Sequence, residues 1–161
     1  MGGGGGRGRT TLGDVNSLIE KAKEEIRRAE GDQRKNVFLS FAYEDMNEVN
    51  LLRGQAKNEN SNIEFNDWSV REPYSSSRAD YIKQRIGERI SQSSVTVVYV
   101  STDTAKSEWV NWEIQESLRR NKKVVAVHKG DSAPNVLPKS VTDNRIKIVP
   151  WSQLAATLEK L

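Results

Sequence analysis

The segment Val95-Thr-Val-Val-Tyr-Val100 constrains the fold of this chain more than any other. It is short, rich in β-branched residues and apolar on both alternations, so it predicts a strand that is buried on both faces. Strands of this kind belong to parallel sheets that helices cover on both sides. Other short apolar segments alternate with amphipathic helical patterns from residue 35 to residue 161. The predicted fold class is therefore α/β, with a mostly parallel sheet.

The alternation predicts five strands, at residues 37–41, 63–65, 95–100, 124–127 and 145–149. Helices are predicted at residues 46–57, 78–90, 108–120 and 152–161. Their predicted start signals are a capping box Asp45-x-x-Glu48, the pair Ser77-x-x-Asp80, and Ser107 as an N-cap. The segment with Pro134 and Pro138 is expected to be irregular. Right-handed crossovers then favour a flavodoxin-like, doubly wound, five-stranded parallel sheet in the order 2-1-3-4-5.

The N-terminal region differs in composition from the rest. Residues 1–13 form a Gly/Arg tail, residues 14–34 a helix with a polar linker, and residues 35–161 the compact domain. The helix is predicted at residues 14–30, with Asp14 as its cap. Its apolar residues follow a 4-3-4-3 spacing typical of a short coiled-coil seam, namely Val15, Ile19, Ala22, Ile26 and Ala29. Two interpretations remain open, self-association or partner docking on one side and packing against its own domain on the other.

Composition excludes several classes of function. The chain has no cysteine and a single histidine, His128, which excludes disulfides, thiolate catalysis and Cys/His zinc sites. The net charge is +3 with acids and bases well mixed, so nucleic acid is not an expected partner. No metal site is predicted. There is neither an apolar run long enough to span a membrane nor a signal-peptide h-region. The expected location is the cytoplasm.

The candidate site combines an indole and a carboxylate. Trp109 and Glu113 lie one turn apart on the predicted helix after the central strand, so their side chains share one edge of its buried face. In the order 2-1-3-4-5, the switch point lies between strands one and three. Residues 41–45 after strand one and Ser101 onward after strand three line the crevice there. We therefore expect Glu113 and Trp109 to border a ligand site.

A lone carboxylate limits the chemistry. Two-carboxylate glycoside hydrolysis would need a second acid, for which Asp67 at the end of strand two is a candidate. The loop at residues 41–45 has no glycine to bind phosphate, and strand three lacks the aspartate that a phospho-receiver needs. One carboxylate beside aromatic rings suits cleavage of an N-glycosidic bond to a cationic leaving group, as in NAD. The alternative is an ordinary packed tryptophan and a solvated glutamate.

Several motifs together resemble one family. Their order and spacing match TIR domains, and more narrowly the bacterial TIR-like branch that includes the Thoeris ThsB proteins of antiphage defence. The matching segments are Val37-Phe-Leu-Ser-Phe41, Tyr43-Glu-Asp45, Asp67-Trp-Ser69 and Ser107-Glu-Trp-Val-Asn-Trp-Glu113-Ile. The likeness covers residues 35–160.

The resemblance implies an NAD-cleaving enzyme that releases nicotinamide and an ADP-ribose product. It assigns catalysis to Glu113, with NAD as substrate and no cofactor. The substrate-binding residues that it implies are Ser40, Phe41, Tyr43, Asp67, Trp68 and Trp109. For Trp68, lining the pocket and plugging the sheet edge stay equally open. In Thoeris-type members the product is a cyclic isomer that activates a separate effector protein, and the loop at residues 69–76 resembles one used in subunit packing and gating.

Two other functions remain open. Some TIR domains act only as adaptors, so this chain could be a non-catalytic scaffold that assembles through residues 69–76 and 14–30. It could also be an enzyme like the nucleoside deoxyribosyltransferases, in which a carboxylate of a similar fold is the covalent nucleophile. NAD loss, absence of turnover and a trapped glycosyl adduct distinguish the three.

Overall fold

The computed structural model describes residues 12–29, 35–58, 63–66 and 72–161. The chain divides into two compact units, Met1–Arg34 and Lys35–Leu161. The first unit contains helix α1 (Leu12–Ala29), so Asp14 lies within its first turn and is not the predicted cap. No helix in the described ranges combines the length and the apolar character that a membrane span requires.

The second unit alternates strands and helices as predicted. The strands are β1 (Lys35–Ser40), β2 (Ile63–Asn66), β3 (Val95–Tyr99), β4 (Lys123–His128) and β5 (Lys147–Pro150). The helices are α2 (Met46–Asn58), α3 (Ala79–Gln92), α4 (Glu108–Arg119), α5 (Lys139–Asp143) and α6 (Leu154–Glu159). All neighbouring strands are parallel, in the order β2-β1-β3-β4-β5. The predicted flavodoxin-like sheet is confirmed.

Strand alternation gives the sheet two different faces. Leu39 and Val97 pair across β1 and β3 and belong to a core with Val49 of α2 and Leu154 of α6. Along each strand, the residues that alternate with these core residues point to the other face. That face carries two further cores against α3 and α4, with Phe38, Ile82, Ile86 and Ile90 in one and Val98, Val110, Ile114 and Val141 in the other. Ser40 ends β1 on this second face and therefore points towards α4.

Helix α4 has well-defined ends. The Ser107 hydroxyl accepts a hydrogen bond from the Val110 amide at 3.1 Å, which confirms Ser107 as the N-cap. At the other end Asn121 has a left-handed backbone, with φ of 60°. The amides of Asn121 and Lys122 then donate to the carbonyls of Leu118 and Ser117, as in a Schellman motif. These two ends fix the register of α4, and hence the position of Glu113.

Four local expectations are corrected. The predicted capping box at Asp45 does not form, because the Asp45 carboxylate accepts a hydrogen bond from Ser101 while Glu48 pairs with Lys129. Ser77 is the predicted start signal of α3, but the hydroxyl that accepts a hydrogen bond from the Arg78 amide is that of Ser76. The segment expected to be irregular contains the short helix α5, which begins after Pro138 and buries Val141. Strand β5 begins at Lys147 and not at Arg145, whose positive φ of 51° is incompatible with a strand.

Candidate active site

Glu113 lies on the side of α4 that faces the sheet, and its residue is only 3% exposed. One carboxylate oxygen, Oε1, accepts a hydrogen bond of 2.8 Å from the Ser40 hydroxyl of β1. Its backbone carbonyl accepts a second bond, of 2.7 Å, from Ser117 one turn later. The Ser117 hydroxyl lies 2.8 Å from that of Thr96 on β3. The Ser40 bond thus ties the Glu113 side chain to β1, whereas the Ser117 bond is a local side-chain-to-backbone bond within α4.

Trp109 connects α4 to the segment before α3. Its indole nitrogen donates a 2.8 Å hydrogen bond to the carbonyl of Glu72. Its ring lies 5.1 Å from that of Tyr74 and 6.3 Å, edge-on, from that of Trp112. The ammonium of Lys83 lies 4.2 Å from the Tyr74 ring centre. One indole therefore makes a wall of the crevice and anchors residues 72–74 beside it.

Glu113, Trp109 and Tyr74 border a cavity of about 390 Å³ at the carboxyl ends of β1 and β3. Its lining residues are Phe41, Tyr43, Glu44, Glu72, Tyr74, Asp103, Lys106, Ser107, Glu108, Trp109 and Glu113. Five of them carry carboxyl groups and one, Lys106, carries an ammonium group. Aromatic rings and carboxylates in one cavity favour a flat, cationic ligand group. No group of three or more acidic or histidine side chains in the described part of the chain could bind a metal ion.

The structure brings together four of the predicted site residues, since Phe41, Tyr43, Trp109 and Glu113 line this cavity. Ser40 does not line it, although it donates a hydrogen bond to Glu113. Asp67 and Trp68 lie outside the described residues, as does the start of the loop at residues 69–76. The roles assigned to all seven residues stay predictions.

Asp45 joins the two loops that border the cavity. Its carboxylate accepts a hydrogen bond of 2.5 Å from the Ser101 hydroxyl, and another of 3.4 Å from that of Thr104. Burial raises the pKa of Asp45 above its ordinary value of 3.8, and the Ser101 bond opposes that increase. The loop after β1 is therefore tied to the loop after β3 by a buried carboxylate that hydroxyl groups solvate.

Other lining residues were not predicted. Glu72 and Tyr74 come from a stretch without readable periodicity, and Lys106 and Glu108 flank the N-cap of α4. For Tyr74 one signal was available, because it is an aromatic residue beside Pro73 in a polar segment. Such a residue often marks a loop that packs against a neighbouring element.

A comparison with known families identifies the family of this chain. The sequence profile described as "Thoeris protein ThsB, TIR-like domain" matches residues 38–133, which is more than half of the chain. The chain belongs to the ThsB TIR-like family. The match includes the second half of β1 and all of β3 and α4, and thus Ser40, Trp109 and Glu113. The resemblance inferred from the sequence motifs is confirmed.

One curated relative is a protein of Bacillus cereus (strain MSX-D12) named "Putative cyclic ADP-D-ribose synthase ThsB1". It is 30% identical to this chain over an alignment of 98 residues, and the match covers 58% of this chain and 51% of the relative. Among solved structures, a similar chain comes from the TIR domains of the activated Roq1 resistosome directly recognizing the pathogen effector XopQ. That match has a TM-score of 0.43 and 21% identity, and covers 78% of this chain and 70% of that chain. This chain thus spans about half of the length of the curated ThsB relative.

Proposed function

We propose that this ThsB-family domain cleaves the N-glycosidic bond of NAD, releasing nicotinamide and an ADP-ribose product. The observation that carries the proposal is the position of Glu113, a buried carboxylate that lines a cavity beside the indole of Trp109. The nicotinamide of NAD is a cation bonded to ribose. A carboxylate beside that ribose stabilises the positive charge that the sugar gains as the bond breaks.

The electron balance of this reaction explains why one carboxylate is enough. As the bond between ribose C1′ and the nicotinamide nitrogen breaks, its electron pair goes to the nitrogen, which neutralises the ring. The positive charge passes to the ribose, where Glu113 stabilises it, and the leaving group needs no proton from a general acid. Water then attacks C1′ and loses a proton, or a nucleophile of the same ADP-ribose unit closes a ring.

The charges of the cavity support a substrate with a cationic ring. Glu44, Glu72, Asp103 and Glu108 line the cavity with Glu113, so the potential there favours a positive group. Stacking on Trp109 or Tyr74 would add to the binding of a flat ring. Lys106 lines the cavity two residues before α4, and its ammonium group would pair with the pyrophosphate.

We further propose that the product is a cyclic ADP-ribose isomer that signals to a separate effector protein in antiphage defence. Support comes from the name of the Bacillus cereus relative, which describes a cyclic ADP-D-ribose synthase. The test is incubation with NAD at dilute and at concentrated protein, with product identification by mass spectrometry. Nicotinamide with a product one water lighter than ADP-ribose supports the cyclase, and linear ADP-ribose supports a glycohydrolase. Unchanged NAD would support a non-catalytic scaffold, whereas a trapped glycosyl adduct would indicate a transferase with a covalent nucleophile.

We propose that α1 contributes to self-association. Val15, Ile19 and Ile26 of its seam are 38%, 45% and 55% exposed, and two heptads add to a weak contact mainly by raising the local concentration. Replacing Ile19 and Ile26 with Lys should reduce the mass seen by light scattering across a dilution series, together with the concentration dependence of NAD loss. A double variant with unchanged mass and unchanged concentration dependence contradicts this role.

A further inference from the structure

Ser40 is completely buried, at 0% exposure, and is not among the residues that line the cavity. Its side chain presents no surface to the cavity, and its hydroxyl is 2.8 Å from Glu113 Oε1. A hydroxyl at a buried strand position is costly unless it has a hydrogen-bond partner. On this face of the sheet the neighbouring residues Phe38 and Val98 are apolar, and the carboxylate of Glu113 is the partner.

We propose that Ser40 is a positioning residue for Glu113, an inference that rests on the proposed NAD cleavage. Glutamate has three side-chain torsions, and each hydrogen bond to its carboxylate narrows the positions that the carboxylate samples. The bond from Ser40 fixes one oxygen and leaves the carboxylate at the cavity wall. It also favours the ionised form, because a hydroxyl donor stabilises a carboxylate more than a carboxylic acid. Displacement of a catalytic group by about 1 Å can lower a rate by about 100-fold.

The structure offers a matched control in Ser117. Like Ser40 it is a fully buried serine whose hydroxyl donates a hydrogen bond to Glu113. Its acceptor is the backbone carbonyl, whereas that of Ser40 is the carboxylate. Ser117→Ala therefore removes a buried hydroxyl of the same size without changing the donors to the carboxylate. Effects on packing should be shared by the two alanine variants, and effects on the carboxylate should not.

The kinetic test measures NAD cleavage across pH at fixed protein concentration for the wild type, Ser40→Ala, Ser40→Cys and Ser117→Ala. Cysteine has the same branching as serine, with a larger γ atom, and is only a weak donor, and the chain has no cysteine with which it could pair. In both Ser40 variants we expect kcat to fall by about 10- to 100-fold, the value of a hydrogen bond to a charged group, with little change in KM. The acid limb of kcat/KM should move to higher pH, because a carboxylate that has lost a hydroxyl donor is easier to protonate.

Ser117→Ala should preserve both kcat and the pH profile even where its melting temperature falls. A rise in KM with unchanged kcat in the Ser40 variants would make Ser40 a substrate contact and overturn the proposal. Equal kinetic effects in the Ser40 and Ser117 variants would reduce Ser40 to packing and overturn it as well. Ser40→Cys decides the question if Ser40→Ala does not fold.

A second measurement separates this inference from the proposed function. NMR of protein labelled with 13C at glutamate side chains follows protonation of Glu113, which is assigned with Glu113→Gln. We expect its titration midpoint to rise in Ser40→Ala and to stay unchanged in Ser117→Ala. If the wild type does not cleave NAD, the proposed function is wrong, and this titration still decides whether Ser40 controls the carboxylate. Equal midpoints in the wild type and both alanine variants would overturn the inference.

Discussion

Glu113 and Glu116 lie three residues apart on α4, are both buried, and accept hydrogen bonds from different kinds of donor. The Glu113 carboxylate accepts from the neutral hydroxyl of Ser40 and lines the cavity. The Glu116 carboxylate accepts from the guanidinium groups of Arg119 and Arg120 and does not line it. The guanidinium groups neutralise Glu116 inside the protein, whereas the Glu113 carboxylate faces the cavity, where it can stabilise a cationic ligand. One helix thus carries a structural carboxylate and a candidate catalytic one.

The environment of Glu116 extends across the helix pair. The Arg120 guanidinium reaches both Glu116 and the Ser91 hydroxyl of α3, and lies over Gly87. A Cβ atom at Gly87 would approach Arg120 Nη2 to 2.6 Å, so glycine there leaves room for the guanidinium. The Glu113 carboxylate accepts instead from the short side chain of Ser40 on β1. The ion pair of Glu116 therefore joins α3 to α4, and Glu113 joins α4 to the sheet.

The sharpest test of this contrast replaces each glutamate with glutamine. We expect Glu113→Gln to lower NAD turnover by about 100-fold or more, because the charge is needed chiefly in the transition state. Its stability should change by less than about 1 kcal/mol. Glu116→Gln, the same substitution one turn away, should leave turnover near that of the wild type. Unchanged NAD consumption in folded Glu113→Gln protein would remove catalysis from this position.

A second test addresses the aromatic wall at the Glu113 end of α4. Trp109→Phe preserves a ring but loses the hydrogen bond to the Glu72 carbonyl. We expect about a tenfold loss of NAD turnover, with a stability loss of about 1 kcal/mol for the missing bond. Trp112→Phe is the control, because Trp112 packs against Trp109 without lining the cavity. Full activity with a lowered melting temperature in Trp109→Phe would show that Trp109 contributes packing alone.

The sheet and part of the candidate site could be predicted from the sequence. The apolar run at residues 95–100 predicts a parallel sheet, because a strand buried on both faces requires helices on both sides, and five alternating strands with right-handed crossovers favour its order. The spacing of Trp109 and Glu113 on one helix face, together with the switch point after β1, predicts that Phe41 and Tyr43 join them. Local periodicity is enough for these features.

Other features depend on contacts between distant segments. The bond from Ser40 to Glu113 joins residues 73 positions apart, and it requires the relative height of β1 and α4, which periodicity does not contain. Tyr74 reaches the cavity through an irregular segment that Trp109 anchors. Asp45 matched a helix cap in sequence, but tertiary contacts with Ser101 and Thr104 changed its role. Predictions from the sequence are wrong where a polar side chain can form a hydrogen bond with either a local or a distant partner.

The ion pairs of Glu116 give a prediction about the pH dependence of stability. Hydrogen bonds from Arg119, followed by those from Arg120, hold the pKa of Glu116 below its ordinary value of 4.5. A lowered pKa in the folded state stabilises the fold above about pH 4.5, and this contribution is lost as the pH falls through the folded-state pKa. Glu116→Gln should lower Tm by about 3–6 °C at pH 7, for about 1 kcal/mol. Calorimetry should find that the difference narrows below pH 4.5, and a constant difference would contradict the ionic role.

Asp45 gives the smallest expected effect and the opposite sign. The Asp45 carboxylate accepts hydrogen bonds from the hydroxyls of Ser101 and Thr104. Burial raises the pKa of Asp45 above its ordinary value of 3.8. A raised pKa in the folded state favours folding while the group is protonated, and that contribution is lost as the pH rises through the folded-state pKa. Asp45→Asn removes this dependence and still offers an oxygen to Ser101. Whatever offset in Tm the substitution produces near pH 4, we expect it to shift in favour of the Asp45→Asn variant by about 1–3 °C at pH 7. A shift of the offset in the opposite direction would show that the ionised Asp45 carboxylate stabilises the two loops. Hydroxyl donors would then compensate for the burial of Asp45 as fully as the guanidinium groups do at Glu116.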